Sequence, residues 1–321
     1  MSGLIWDGTT QLLPASLNTP VVFDARVSAA ASVTSGATFA TVAAAIAAGK
    51  RSIYVEAGDY AAGFDTNGAN NLLVYCGVPA GYDGGFQGAT FGGQITVRSH
   101  YVKIVGAHVV GSSGYGIRVD LGYFGIRLED CTVYQSTNAG YYLGYQGALT
   151  AGSFDCICRG CVANDCGGTL YDGFYIGDYD YNFEWLLDSC HSFSSGRDGF
   201  SVAANAVAAV NATVRLVTLQ DCKAYVNGVH GLRVGPRASV AVMAGNYREN
   251  GSAGIYLSTQ ENAMARSQIM GARVRSNVGG GLQLGAVSSS QIAVGVLAYG
   301  NGTNFINAGS CLGYSTCNNG V

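Results

Sequence analysis

From about residue 100 onward, apolar and polar positions recur in one unit. An alternating apolar strand is followed by a Cys or small residue, a turn rich in Asn, Ser and Gly, and a Gly-apolar-x-apolar segment. Seven copies of that last segment are legible: Gly116-Ile117-Arg118-Val119, Gly140-Tyr141-Tyr142-Leu143, Gly173-Phe174-Tyr175-Ile176, Gly199-Phe200-Ser201-Val202, Gly231-Leu232-Arg233-Val234, Gly254-Ile255-Tyr256-Leu257 and Gly281-Leu282-Gln283-Leu284. Their glycines lie 24, 33, 26, 32, 23 and 27 residues apart, the length of one solenoid coil with insertions in some loops. The first half of the unit keeps the same register. Ala107, Cys131, Cys161, Cys190, Cys222, Gly245 and Ala272 share one position, and Ile104, Leu128, Cys158, Leu187, Leu219, Val242 and Ile269 stand three residues before them. Strand alternation sets each column on one face. Parallel stacking at roughly 4.7 to 4.9 Å per rung then turns columns into internal ladders. The pattern predicts an all-β fold, a right-handed parallel β-helix.

The N-terminal part predicts a short capping α-helix. Phe39, Val42, Ala43, Ile46 and Ala47 recur at helical spacing, Thr38 stands where a cap is wanted, and Gly49 closes the run. Ile53-Tyr54-Val55 reads as the first strand, and Ile95 and Val97 open the regular coils after a loop-rich stretch at 77–93. The division expected is an arm, helix and first strand at 1–66, coils at 67–306 and a tail at 307–321. Fifteen residues are little with which to cover an open sheet end, so a homo-oligomer is expected.

Composition narrows the classes. Of 321 residues, 17 are Lys or Arg and 20 Asp or Glu, a net charge of −3 that argues against a nucleic-acid partner. Only 12% are charged while 48% are hydrophobic, so the chain can bury enough surface to fold, and some outer surface is expected to be covered by a partner. No apolar run approaches the roughly 18 residues of a membrane helix. Met1 to Gly8 shows no basic stretch leading into an apolar one, so no secretory signal is expected.

The helix leading into Ile53-Tyr54-Val55-Glu56-Ala57-Gly58-Asp59-Tyr60, followed by coils ending in Gly-apolar-x-apolar, resembles the pectate-lyase-like β-helix proteins over nearly the whole chain. That superfamily includes polysaccharide lyases, mannuronan C5-epimerases, and spike and decoration proteins of tailed bacteriophages. The motifs encode stacking and turns, so the resemblance implies a fold and leaves function open.

Three groups of residues are candidates for chemistry. Cys156-x-Cys158-x2-Cys161-x4-Cys166 has the look of a metal motif. Cys156, Cys158 and Cys161 nevertheless fall on ladder positions held in other coils by Ile, Trp, Leu or Cys, where a thiol serves as a small buried hydrophobe. No metal and no cofactor is expected. Cys311 and Cys317 lie in the tail and are candidates for a local or intersubunit disulfide. In the turn before the repeated glycine, three successive coils carry Asp172, Asp198 and His230, and stacking would set them on neighbouring rungs. Two carboxylates and an imidazole at that separation suit general acid and base catalysis. Arg197, Arg233, Tyr142, Tyr175, Asp178, Asp180 and Glu184 lie nearby in sequence or on adjacent coils. Finally, Arg118, Tyr142, Tyr175, Ser201, Arg233, Tyr256 and Gln283 form an outward column whose Arg and Tyr members suit glycan or interface contact.

Arg197-Asp198-Gly199-Phe200 and Val229-His230-Gly231-Leu232 are similar to coils of the mannuronan C5-epimerases. The epimerase pattern has an Asp-Pro-His-like element, whereas Asp172-Gly173-Phe174 here runs into Tyr175-Ile176-Gly177-Asp178 without a His. Two readings stay open. In the first, favoured by the low charge, the short tail and the missing His, the chain is a homo-oligomeric structural protein of a tailed-phage virion. As a decoration or spike it would be made in the host cytoplasm, bind other virion proteins and contact a surface polysaccharide. In the alternative it is a polyuronate-modifying enzyme, a C5-epimerase or polysaccharide lyase, centred on Asp172, Asp198 and His230.

Overall fold

The computed structural model describes residues 23–29, 38–77, 88–145, 153–168, 171–177, 183–202, 215–235, 238–258, 267–285, 292–307 and 314–315. They form a parallel β-solenoid of three sheets. The first sheet has thirteen strands, from Thr38–Phe39 and Ala25–Val27 through Ser52–Val55 and Leu72–Cys76 to Ile292–Val294 and Tyr314–Ser315. The second has ten, from Gly58–Tyr60 to Leu297–Tyr299, and the third nine, from Ile95–Val97 to Thr303–Asn307. Every pairing between these strands is parallel, because each coil returns to the same sheet one rung further along.

The columns legible in the sequence are the register of the sheets. Leu128 pairs with Ile104 on one side and Cys158 on the other, Cys158 with Leu187, Leu187 with Leu219, and Leu219 with Val242. All are fully buried. In the third sheet Tyr141, Phe174 and Phe200 face inward and stack at centroid separations of 4.4 and 4.9 Å with interplanar angles of 2° and 17°. Identical spacing of rungs and offset ring stacks makes such columns self-compatible.

From Gly106 onward, two left-handed residues turn each described coil. The residue before the Cys position has positive φ in successive coils, as in Gly106 (69°), Asp130 (52°), Gly160 (60°), Ser189 (54°) and Asp221 (47°). The residue closing the second-sheet strand does the same, including Val226 at 55°. The repeated glycine of the third sheet has a different cause, close approach: a Cβ on Gly231 would lie 2.6 Å from the carbonyl oxygen of Gly254 on the next coil. That crowding is why Gly-apolar-x-apolar is so plain in the sequence.

The thiols of the central ladder are hydrogen-bond donors. Cys131, Cys161, Cys190 and Cys222 donate to the carbonyls of Ile104, Leu128, Cys158 and Leu187 on the preceding coil at 3.6, 3.3, 3.4 and 3.4 Å. Cys156, Cys158, Cys161 and Cys166 are buried free thiols in this core. Among the described residues no group of three or more His, Cys, Asp or Glu is arranged to hold a metal ion. Cys311 and Cys317 lie outside the described residues.

A second ladder closes the turn between the second and third sheets. Asn250 Oδ1 accepts from the backbone and side-chain N–H of Asn227 at 3.1 and 2.9 Å, Asn277 Oδ1 from those of Asn250 at 3.0 and 2.8 Å, and Asn301 Oδ1 from those of Asn277 at 3.0 and 2.8 Å. Each side chain thus satisfies the amide of the coil before it.

The helix is shorter than its apolar spacing predicts. It spans Val42–Ala47, and Thr41 rather than Thr38 is its N-cap, accepting from the Ala44 N–H at 3.1 Å. Thr38 is instead in a strand, because Thr38–Phe39 pairs with Arg26 and Val27 of the first sheet. No helix among the described residues is long and apolar enough to cross a membrane.

Two outcomes follow for stability. Val226→Asn removes a β-branched side chain from the left-handed region at an exposed site, and should raise the unfolding free energy by about 1 kcal/mol in a denaturant titration. Asn250→Ala strands the backbone and side-chain N–H groups of Asn227 that Asn250 Oδ1 accepts, and should lower it by about 2 kcal/mol; a loss no larger than that of an exposed Asn→Ala substitution would show that the ladder does not contribute.

Candidate functional site

Stacking brings Asp172, Asp198 and His230 onto three consecutive coils of the third sheet, since Phe174 pairs with Phe200 and Phe200 with Leu232. Each side chain accepts from the backbone of the next coil. Asp198 N–H donates to Asp172 Oδ1 at 3.0 Å, His230 N–H to Asp198 Oδ1 at 3.0 Å, and Ala253 N–H to His230 Nδ1 at 3.2 Å. The position before the glycine is therefore a polar ladder, which explains the acceptor residues found there.

Both carboxylates are covered. The side chains of Asp172 and Asp198 have no exposure, whereas Arg197 and Arg233 keep 23% and 30%. Arg197 clamps Asp172 with two bonds, Nε to Oδ1 at 2.8 Å and Nη2 to Oδ2 at 2.6 Å, the forked geometry that makes Arg–carboxylate pairs strong. Asp198 is less well served. Its Oδ2 has no hydrogen-bond partner among the described residues, with Arg197 Nε at 3.5 Å and Arg233 Nη1 at 3.9 Å. The surface thus presents guanidinium groups and the imidazole, while the carboxylates hold them from beneath.

Titration follows this geometry. Burial, and then the charge of Asp172, push the Asp198 carboxyl up to about 7. Burial also raises Asp172, against the opposing effect of Arg197. Burial and the nearby Arg233 lower His230 to about 4, so its ring is neutral in neutral solution. With Nδ1 accepting from Ala253, the ring proton is on Nε2, and His230 offers a donor rather than a base to a ligand. The ring lies 4.9 Å from that of Tyr256, nearly parallel at 16°.

The outward column is in register as the sequence predicts. Arg118 pairs with Tyr142, Tyr142 with Tyr175, Tyr175 with Ser201, Ser201 with Arg233 and Arg233 with Tyr256. Its middle is covered: Tyr142 and Tyr175 are 5% and 8% exposed and form a small apolar cluster with Ala139 and Tyr115. Tyr142 lies 4.9 Å from Tyr115 and 4.8 Å from Tyr175 between centroids. Arg118 is paired with Asp120 through Nε at 2.7 Å and Nη2 at 3.1 Å. Sequence reasoning missed Asp120, although an i, i+2 spacing on a strand sets both residues on one face. It also missed the Arg98–Asp65 pair, where Nε donates at 2.8 Å, because those residues are 33 apart. Asp178 and Asp180 lie outside the described residues. Glu184 is exposed on the first sheet, beside Asp155 and Trp185 in a shallow cavity of about 300 Å³, away from the third-sheet cluster.

A parallel β-solenoid with a buried carboxylate pair beneath two guanidiniums and a neutral imidazole is the class of site on hand. No family model matches the chain, and no curated protein does. Among solved structures, the mannuronan C-5 epimerase AlgE6 A-module of Azotobacter vinelandii is similar at 18% identity over 85% of this chain and 90% of that chain, with a TM-score of 0.49. The AlgE4 A-module of the same organism is similar at 12% identity over 85% and 92%, with a TM-score of 0.36. The periplasmic alginate epimerase AlgG is similar at 11% identity over 81% and 76%, with a TM-score of 0.31. These neighbours are two mannuronan C-5 epimerase modules and an alginate epimerase by name, and at such identities the similarity carries no correspondence of side chains.

The titration of Asp198 can be isolated by substitution. A carboxyl at about 7 in the folded chain and about 4 in the unfolded chain stabilises most below the unfolded value, and that contribution is lost as pH rises to the folded value. Between pH 5 and pH 8 the wild type should therefore lose stability relative to Asp198→Asn, read as diverging denaturation midpoints. Parallel midpoints would mean that Asp198 titrates normally.

Proposed function

We propose that the chain binds and modifies an acidic polysaccharide, a polyuronate, at the third-sheet face around Arg197, Arg233, His230 and Tyr256. The observation that carries this reading is the pair of guanidiniums held over buried carboxylates on consecutive coils, next to an imidazole fixed as a neutral donor. A uronate carboxylate docked on Arg233 or Arg197 would have its charge neutralised. That makes the adjacent C5 proton more acidic, and electrostatic stabilisation of the developing enolate is the largest contribution such a site can make. The Nε2–H of His230 would donate to the same carboxylate or to a ring substituent. The C5 proton would pass to Tyr256, the phenol against His230, acting in its ionised phenolate form and becoming the neutral phenol. Return of a proton to the opposite face gives epimerisation, and expulsion of the O4 substituent gives a lyase product.

The particle-protein reading has no comparable support. Cys311 and Cys317 lie outside the described residues, Tyr314–Ser315 of the tail pairs with Ala293 and Val294 as the last strand of the first sheet, and Tyr142 and Tyr175 are covered by the chain's own Tyr115 and Ala139.

The test is incubation with alginate and pectate in deuterated water, following C5 deuteration and uronate composition by proton NMR and unsaturated ends by absorbance. Turnover is expected, and Arg233→Ala should lower kcat/KM by about ten- to a hundredfold, the loss of one charged hydrogen-bonding contact. Neither deuteration nor unsaturated ends on any of these polymers would overturn the reading.

A further inference from the structure

The charged cluster is electrically closed. With both carboxyls ionised, Arg197 and Arg233 are balanced by Asp172 and Asp198; His230 beside them is neutral in neutral solution, and Tyr175, Tyr256 and Ser201 also face the cluster. Above the Asp198 titration, a site with two guanidiniums at its surface thus has no net charge with which to hold an incoming anion. One of the two carboxylates is also imperfectly bound. Asp172 has both oxygens filled by Arg197, while Asp198 Oδ2 has neither solvent nor a hydrogen-bond partner among the described residues.

We propose that binding of an anionic sugar carboxylate on the Arg197–Arg233 pair is coupled to uptake of one proton by Asp198 at Oδ2, the ligand replacing Asp198 as the counter-charge of the guanidiniums. This rests on the polyuronate reading above. Oδ1 is already committed to the His230 amide, so the proton goes to the orphan oxygen. Once neutral, Asp198 leaves one unit of positive charge on the cluster uncompensated, and the ligand's carboxylate closes the balance again. The bound anion in turn makes loss of that proton harder, so the coupling is reciprocal. Asp172 is unsuited to the role because protonating it would break a two-bond pair with Arg197. His230 is unsuited at neutral pH because its Nδ1 lone pair is held by Ala253.

Because Asp198 is half ionised near pH 7, binding should be indifferent to pH well below that value. It should weaken by about tenfold per unit above it for as long as one proton is taken up. The test is calorimetric titration of a mannuronate hexamer and a galacturonate hexamer at pH 8 in two buffers of different ionisation enthalpy. The wild type should take up close to one proton per oligomer bound. Asp198→Asn should take up none and bind at pH 8 about as tightly as the wild type binds at pH 5.5. Should Asp198→Asn fail to fold, carbon-13 NMR of Asp-labelled wild type reads the same group. A carboxyl titrating near 7 should move to higher pH on adding the hexamer. Binding without proton uptake, or equal uptake in both proteins, or a carboxyl unmoved by the hexamer, overturns the coupling alone. No binding by either hexamer removes the polyuronate reading and the coupling with it.

Discussion

Every part of this molecule depends on in-register parallel stacking at one rung spacing. A residue in such a column has its counterparts roughly 4.8 Å above and below, so each column must be built from side chains that tolerate near-copies of themselves. Leu, Val and Ile pack against each other, Tyr141, Phe174 and Phe200 stack face to face, and Cys donates to the carbonyl one coil back. Asn is suited because it has both a donor and an acceptor and can continue a ladder indefinitely. The glycine of the third sheet is the limiting case, where neighbouring backbone leaves no room even for a methyl group.

Charge is the one property that a column cannot repeat at this spacing without penalty, since like charges a rung apart repel. The face of the third sheet answers by mixing types. Arg118 is followed by Tyr142, Tyr175 and Ser201 before the next guanidinium at Arg233, and the acids Asp172 and Asp198 are interleaved with Arg197. Asp172 and Asp198, two buried carboxylates on adjacent rungs, are electrostatically uneven, with one acid fully paired and the other partly so. Burial amplifies that unevenness, because a carboxyl without water or a full set of donors holds its proton far more tightly.

This arrangement also divides the labour at the site. Asp172 positions Arg197 through two bonds, and both acids lie buried beneath the guanidiniums. The groups that meet solvent are Arg197, Arg233, His230 and Tyr256. The Arg197 guanidinium is held by two bonds to Asp172, so its position is set in the folded chain itself.

The amino-acid sequence by itself determined the solenoid, the core columns and the adjacency of residues 172, 198 and 230, because a parallel coil converts sequence period directly into spatial neighbourhood. It also showed which cysteines belong to the core, since Cys161 and Cys190 occupy the position held elsewhere by Ala107. What only the tertiary structure decided are matters within a rung and at its ends. Thr41 rather than Thr38 caps the helix because strand pairing claims Thr38. Tyr142 and Tyr175 point outward yet are covered, because an outward face is exposed only where nothing packs on it, and Tyr115 does. Register states which residues are neighbours, but the choice of Arg197 to fill Asp172 and leave Asp198 half-partnered depends on side-chain reach and direction, which no periodicity encodes.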